Sequence, residues 1–482
     1  MRPILPLLSL AIMLGGCTVG RDYAGPPAAA PKAAGGAGFV RADEGQFTPE
    51  APAARWWEAL GDPALDALVV KALAANPDLA TARARLRQAR ATFRVEKANG
   101  MPSVSASALY AHARIPGFDF GGDDNGDSGD SDGGGTSNLN LYNLGFDASW
   151  EIDLFGGRRR TVEAARASAE AAEASLADAQ VSLSADVAQA YVNLRDRQTR
   201  IALNNASVAM QEQMLALSRQ RLDRGTASRL DVTRLEGQLD TTRAQIVPLN
   251  AERDAYLNQL AILTGEEPGA LDATLGAEGK LPLPPATVAI GDPATMLRRR
   301  PDIRAAERTL ASDTARIGAV EAARFPKLSF MGLIGIGGTS LSALSHLDDF
   351  AAIAAPQLSW SFLDFGRARA NIEKAEGVRD EAEARYRAAV LAALRDAESA
   401  LSRFRYRRVE VATFARAKAS ADEAVRLSAE RYKAGTTTLI DLLDAQRQQV
   451  AAAQSLSLAE AGLAGDFVAI QKALGLGWSD AG

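Results

Sequence analysis

Tyr142-Asn143-Leu144-Gly145-Phe146-Asp147-Ala148-Ser149-Trp150-Glu151-Ile152 decides the fold. Its even positions are Tyr142, Leu144, Phe146, Ala148, Trp150 and Ile152; its odd positions are Asn143, Gly145, Asp147, Ser149 and Glu151. Strict alternation over this length predicts a β-strand with one apolar and one polar face. Directly afterwards the pattern changes. From about Arg158 to Arg224 the chain is alanine-rich, with leucine, arginine and glutamate, all strong helix formers. At 1.5 Å per residue that run is roughly 100 Å long. Such a helix cannot be the interior of one compact globule; it predicts coiled-coil-like packing, with small alanines permitting close approach. A Gly-centred turn reverses the chain, and a second helix returns to about Leu263.

The same series recurs. Asn76-Pro77-Asp78-Leu79 matches Arg300-Pro301-Asp302-Ile303 at an offset of 224, and Met101-Pro102 matches Phe325-Pro326. Ser149-Trp150, Phe155-Gly156, Arg221, Gly225-Thr226 and Asp231 match Ser359-Trp360, Phe365-Gly366, Arg431, Gly435-Thr436 and Asp441 at an offset of 210. Thr264-Gly265 lines up with Leu474-Gly475. The 14-residue difference falls at the Gly/Asp segment Gly121 to Gly135. The chain is therefore two copies of one module, 61–265 and 293–475, joined by a linker at 266–292. Each copy opens with an amphipathic helix, about Pro63 to Asn99 or Pro293 to Arg324, stopped by Pro102 or Pro326. Two strands follow, at about 103–113 and 138–152, then at about 327–337 and 350–363. A long helical hairpin completes each copy. The partner strands alternate less cleanly: Val104, Ala106, Ala108 and Tyr110 against Ser103, Ser105 and Ser107; then Leu328, Phe330, Ile334 and Ile336; then Leu358, Trp360 and Phe362 against Gln357, Ser359 and Ser361. The expected fold class is α+β with internal duplication.

About ten alternating residues is the length of a tilted membrane-spanning strand. Trp150 and Trp360 stand near the strand ends that lead into the helices, where aromatic side chains mark a membrane–water interface. An ordinary antiparallel sheet covering a core is the alternative, and with it a periplasmic coiled-coil rod. Closure separates them. One chain offers four strands; an open sheet edge cannot face lipid, and bacterial barrels have at least about eight strands. If these strands span a membrane, several chains share one barrel.

The first residues carry an address. Arg2 precedes an apolar stretch from Ile4 to Leu14, too short to span a bilayer but suited to a signal peptide over 1–16. The one cysteine follows at its end, in Leu14-Gly15-Gly16-Cys17, which resembles a bacterial lipobox. On that resemblance Cys17 is the lipidated residue and 17–60 is a lipid-anchored segment; a free cysteine after a signal peptide is the plain alternative. Thr18 follows, not an aspartate that would suggest inner-membrane retention. Composition narrows function further. A net charge of −5 argues against nucleic-acid binding. One cysteine excludes a disulfide framework, and two histidines, His112 and His346, leave little for a triad or a metal site. No cofactor and no catalytic residue are assigned.

Cys17-Thr18-Val19-Gly20-Arg21-Asp22-Tyr23 with Pro26, then Trp56-Trp57, Asp62-Pro63 and Leu65, resembles the mature start of NodT-type outer-membrane efflux lipoproteins. Leu297-Arg298-Arg299-Arg300-Pro301-Asp302-Ile303-Arg304-Ala305-Ala306-Glu307 resembles a hallmark of that TolC-like family, as do Arg431-Tyr432-Lys433-Ala434-Gly435 and Leu442-Leu443-Asp444-Ala445-Gln446. The resemblance runs from Cys17 to about Gly477. It implies a homotrimer with a shared twelve-stranded barrel in the outer membrane and a helical tunnel across the periplasm. It also implies a periplasmic adaptor and an inner-membrane, usually proton-driven, transporter as partners. The departures are the long Asp/Gly loop and Ile290-Gly291-Asp292-Pro293 before the arginine-rich motif.

Two turns close the hairpins: Arg224-Gly225-Thr226-Ala227-Ser228 and Ala434-Gly435-Thr436-Thr437-Thr438. Glycine suits the left-handed position that ends a helix. Ser228 with Asp231 and Thr438 with Asp441 have capping-box spacing. By resemblance these are adaptor-docking tips, with Gly225, Thr226, Ser228, Gly435, Thr436 and Thr438 at the contact. Ile440 and Asp444 match the family's apolar and acidic aperture positions, and Arg234, the repeat counterpart of Asp444, is a candidate tether across neighbouring helices. A solvated helix-face pair is the alternative. Asp119, Asp123, Asp124, Asp127, Asp130 and Asp132 have carboxylates suited to a hard cation but lack a closing glutamate, so a solvated loop is the simpler reading. Two other functions stay in view: a lipid-anchored periplasmic scaffold without a pore, and a periplasmic hydrolase, which lacks a nucleophile–base signature.

Overall fold

The computed structural model describes residues 18–35, 38–42, 45–116, 136–345 and 350–478. Cys17, His346 and the segment from Asp119 to Asp132 lie outside the described residues. The first copy comprises α1 (Pro63–Ala75), α2 (Pro77–Ala98), β2 (Ser103–Pro116), β3 (Thr136–Ile152), α3 (Gly157–Asp223) and α4 (Arg229–Leu263), preceded by the short strand β1 (Phe47–Thr48). The second comprises α5 (Pro293–Arg299), α6 (Pro301–Ala322), β5 (Lys327–Gly338), β6 (Phe350–Ser359), α7 (Arg367–Lys433) and α8 (Leu439–Ala473), preceded by β4 (Val288–Ala289). Among the described residues no helix is long and apolar enough to cross a membrane.

The single amphipathic helix expected at the start of each copy is two helices. Asn76 stands at φ −61°, ψ 130° and Arg300 at φ −58°, ψ 123°. Each precedes a proline, whose Cδ pushes the preceding residue out of the helical region. The break exposes a use for both side chains. Asn76 Nδ2 donates to the Leu263 carbonyl at 3.0 Å, at the end of α4. Arg300 Nη1 donates to the Ala473 carbonyl at 2.5 Å, at the end of α8, and Arg299 Nη2 to Leu474 O at 2.9 Å. Cations and amide donors suit the unpaired carbonyls of a helix C-terminus. Arg300 also forks onto Asp302 at 3.0 and 2.6 Å. The arginine-rich motif therefore clamps the returning helix of its own copy.

The chain divides into two units: Met1–Gly25, Gln88–Ala169 and Arg308–Ala382; and Pro26–Arg87, Glu170–Glu307 and Glu383–Gly482. The first holds a four-stranded antiparallel sheet in the order β2-β3-β5-β6. Register aligns the apolar positions. Ala106 lies opposite Phe146, Phe146 opposite Ile334, and Ile334 opposite Ala352; Trp150 lies opposite Phe330. This apolar face is open: Val104 is 68% exposed and Phe146 61%. The other face is polar near the helices in the first copy, with Ser105 opposite Asp147, but carries Leu109 and Leu141 further along it and Met331, Leu333 and Ile353 in the second copy. Gly145 faces Gly335, and a Cβ at Gly145 would stand 2.6 Å from Ile334 O, so the two middle strands approach closer than larger residues allow.

The fourth strand stops at Ser359, so Trp360 and Phe362 lie beyond it rather than in it. Ser359 pairs with Lys327, the first residue of β5. Pro326 precedes Lys327 and has no N–H to extend the ladder. The Trp360 indole instead donates to Arg324 O at 2.9 Å, and the Trp150 indole donates to Gly100 O at 3.2 Å. Both rings tie the end of a strand to the turn before the adjacent one.

The second unit holds a buried core that includes Tyr191, Leu194, Leu260, Leu401, Phe404, Phe467 and Ile470. The N-terminal segment belongs to it. Trp56 meets Phe467 edge-on at 6.0 Å, and Phe47 meets Phe404 at 5.9 Å. β1 pairs in parallel with β4, so the segment before the first copy is stitched to the linker. Inside, Tyr191 Oη donates to Asp62 at 2.6 Å, and Arg195 donates to Tyr191 Oη at 2.9 Å and to Ala277 O at 3.2 Å. Burial and the Asp62 carboxylate push the Tyr191 phenol up to about 12.

Candidate functional site

The two hairpin turns are built alike. Gly225 and Gly435 both stand at φ 71°. Gly225 N–H donates to Leu222 O at 2.8 Å and Thr226 N–H to Arg221 O at 2.8 Å; Gly435 and Thr436 donate to Tyr432 and Arg431 at 3.1 and 2.9 Å. This is the Schellman pattern, which satisfies carbonyls left open at a helix end. The Thr226 and Thr436 hydroxyls reinforce it, each donating to the same arginine carbonyl at 3.1 Å. The next helix starts through a reciprocal cap. Asp231 N–H donates to Ser228 Oγ at 3.1 Å while Ser228 N–H donates to Asp231; Thr438 and Asp441 repeat both bonds. The Thr438 hydroxyl and backbone, with the Thr437 hydroxyl, hold the Asp441 carboxyl below the usual carboxylate range.

These caps fix four helix ends within a few residues and leave the turn backbone facing water. A small apolar cluster stiffens the pair: Leu215, Val232, Leu235, Leu239 and Leu439 are buried, with Leu222, Tyr432 and Leu443 against them. Arg221 crosses between the hairpins, donating to Tyr432 Oη at 2.8 Å with its guanidinium 5.3 Å from the ring. Repeat matching pointed to Arg221 but not to this bond, because its partner Tyr432 replaces Leu222 of the first copy.

Ile440 and Asp444 lie one turn apart on the same face of α8. Ile440 is 48% exposed. Asp444 accepts from Arg447 at 2.5 Å and from Gln448 at 2.8 Å, both on its own helix. Arg234 is exposed and does not reach Asp444 within the chain. Elsewhere, His112 Nδ1 lies 2.7 Å from Asn140 Oδ1 across the first two strands.

A third arrangement was not foreseen from sequence. Residues directly after Cys17 are fastened to the first turn of α3. The Arg160 side chain is only 4% exposed and donates to Gly20 O at 3.0 Å, to Val19 O at 3.3 Å and to Asp22 at 2.7 Å. Val19 N–H donates to Phe155 O at 3.0 Å. Thr18 lies so close to Gly156 that a Cβ there would stand 2.4 Å from its methyl group. Burial of an arginine in a chain this charged has no local sequence signal.

An apolar-faced sheet whose outer strands have no further partner among the described residues, together with capped helical hairpins, suits a membrane channel component. The Outer membrane efflux protein family model matches residues 68–266 and 293–476, the two copies. The chain belongs to that family. Nodulation protein T of Rhizobium leguminosarum bv. trifolii is 30% identical, over 99% of this chain and 98% of its own length. The solvent efflux pump outer membrane protein SrpC of Pseudomonas putida is 30% identical, over 98% of each chain. The solved outer-membrane channel OprN superposes with a TM-score of 0.85 at 35% identity, covering 95% of this chain and 99% of its own. The protein is an outer-membrane channel for efflux.

Proposed function

We propose that three copies share one twelve-stranded barrel and form the lipid-anchored exit duct of a tripartite efflux system. The observation that carries this reading is the four-stranded sheet. Its apolar face is exposed, and β2 and β6 have no strand partner on their outer sides among the described residues. In lipid such edges must be paired, and four strands are too few to close. A periplasmic adaptor docks on the hairpin turns at Gly225, Thr226, Ser228, Gly435, Thr436 and Thr438. An inner-membrane transporter, proton-driven in such systems, supplies the energy, and the duct conducts passively without catalysis. Ile440 and Asp444 narrow the aperture, with Arg234 of a neighbouring helix as their counter-charge. Trp150 and Trp360 mark the membrane interface. Cys17 carries the lipid, a reading supported by the fastening of Thr18 and Val19 beside the end of β3.

Electron-microscopic imaging of the full-length protein, extracted in detergent from outer membranes, tests the reading. A three-fold particle with a barrel and a hollow stem is expected. A monomeric solid rod would replace the duct by a scaffold.

A further inference from the structure

The two outer strands of the sheet, unpaired on their far sides among the described residues, continue into two helices whose charged residues differ. Ser103 opposite Ser149, Ile152 opposite Leu328 and Lys327 opposite Ser359 place the start of β2 and the end of β6 at the same end of the sheet. There α2 runs into β2 at one edge, and α7 leaves β6 at the other. From Gln88 to its end, α2 carries Arg90, Arg94 and Lys97 against Glu96 alone. α7 opens on Arg367 and Arg369 and then, from Glu373 to Glu381, carries Glu373, Glu376, Asp380 and Glu381 against Lys374 and Arg379. Arg90, Arg94, Glu373 and Glu376 are all exposed. Arg94 and Glu376 have no ion-pair partner among the described residues, whereas Glu373 already accepts from Arg369 of its own helix at 3.0 Å and Arg90 also has a contact within the chain.

We propose that Arg90 and Arg94 of one copy pair with Glu373 and Glu376 of the next, making an ionic seam just below the sheet. This rests on the shared-barrel reading. β6 beside the neighbour's β2 continues the antiparallel alternation and brings α7 alongside the neighbour's α2. Levels agree. At 1.5 Å per residue, Arg94 lies about 6 Å before the end of α2 and Glu373 about 9 Å into α7. Arg90 and Glu376 lie at about 12 and about 14 Å on the same measure. Within each helix the two residues are spaced by four or three, so each pair shares a face. The seam gives the ring a direction, because α2 meets α7 and never its own twin.

The test uses full-length protein in detergent and reads the oligomeric fraction by light scattering. The paired reversal Arg90→Glu with Arg94→Glu, and separately Glu373→Arg with Glu376→Arg, each lower that fraction at least about tenfold at a concentration where the unaltered protein is assembled, since facing like charges repel. All four changes together restore assembly, and far-ultraviolet circular dichroism of each half-variant matches the unaltered protein, which separates repulsion from failure to fold. Raising salt to about 1 M narrows the difference between unaltered and reversed proteins. Half-variants that assemble normally, or a fourfold variant that stays apart, overturn the seam while leaving the barrel. An unaltered protein that is monomeric overturns the barrel itself.

Discussion

At the tip of the first hairpin Ser228 caps α4, and at the second Thr438 caps α8 through the same pair of bonds. Two turns further on, the copies part: Arg234 stands where the second copy has Asp444. The far ends of the hairpins repeat this contrast. Gly265 and Gly475 end α4 and α8 at φ 75° and 69°, yet the clamp on the neighbouring carbonyl is neutral Asn76 in one copy and cationic Arg300 in the other. Backbone geometry admits few solutions, so duplicated turns keep theirs. Side chains that hold or face something admit many, and there the copies are free to specialise.

Breaking the clamps shows the largest difference between copies. Arg300→Ala removes a nearly buried guanidinium and strands Asp302 and the Ala473 carbonyl; a loss of about 2–4 kcal/mol is expected. Asn76→Ala removes neutral bonds only and costs about 1–2 kcal/mol. Thermal melting of the two variants in the same detergent measures both, and equal losses would contradict the asymmetry. The caps come next. Ser228→Ala and Thr438→Ala each cost about 1 kcal/mol, equally in the two copies. Hydrogen exchange in the first turns of α4 and α8 reads this directly.

The aperture proposed at Ile440 and Asp444 sharpens the contrast in function rather than stability. Asp444→Ala with Ile440→Ala raises single-channel conductance in planar bilayers, while Leu230→Ala with Arg234→Ala, the matching change in the first copy, raises it less. Unchanged conductance in both would remove the gate from these positions. The smallest effect concerns acid. The Asp441 carboxyl titrates below its ordinary 3.8, so its contribution to the second cap is complete above that value and is lost as pH falls through the lowered one. Thr438→Val removes the hydroxyl that lowers it, and the carboxyl titration moves back up.

Much of this is legible in the amino-acid sequence because duplication doubles every signal. Period-two alternation marks β3 cleanly and its partners more weakly, and the spacing Ser228 to Asp231, repeated at Thr438 to Asp441, marks the caps. What escaped had no local pattern. The break at Asn76 was available from Pro77 but was masked by helix formers on both sides. The end of β6 depends on where Pro326 starves its partner strand, a long-range fact. The Arg221–Tyr432 bond and the grip of Arg160 join residues more than a hundred positions apart. For the same reason the role of the arginine-rich motif, a clamp on a helix end 173 residues away, could be matched in sequence but not explained.

The grip of Arg160 on Val19, Gly20 and Asp22 has a further consequence. A lipid on Cys17 would hang from a residue whose next neighbour is already pinned, and one residue spans less than about 4 Å. The anchor would then have no leash. Its acyl chains would enter the bilayer at the protein's own wall, like a rivet set in the hull rather than a mooring line.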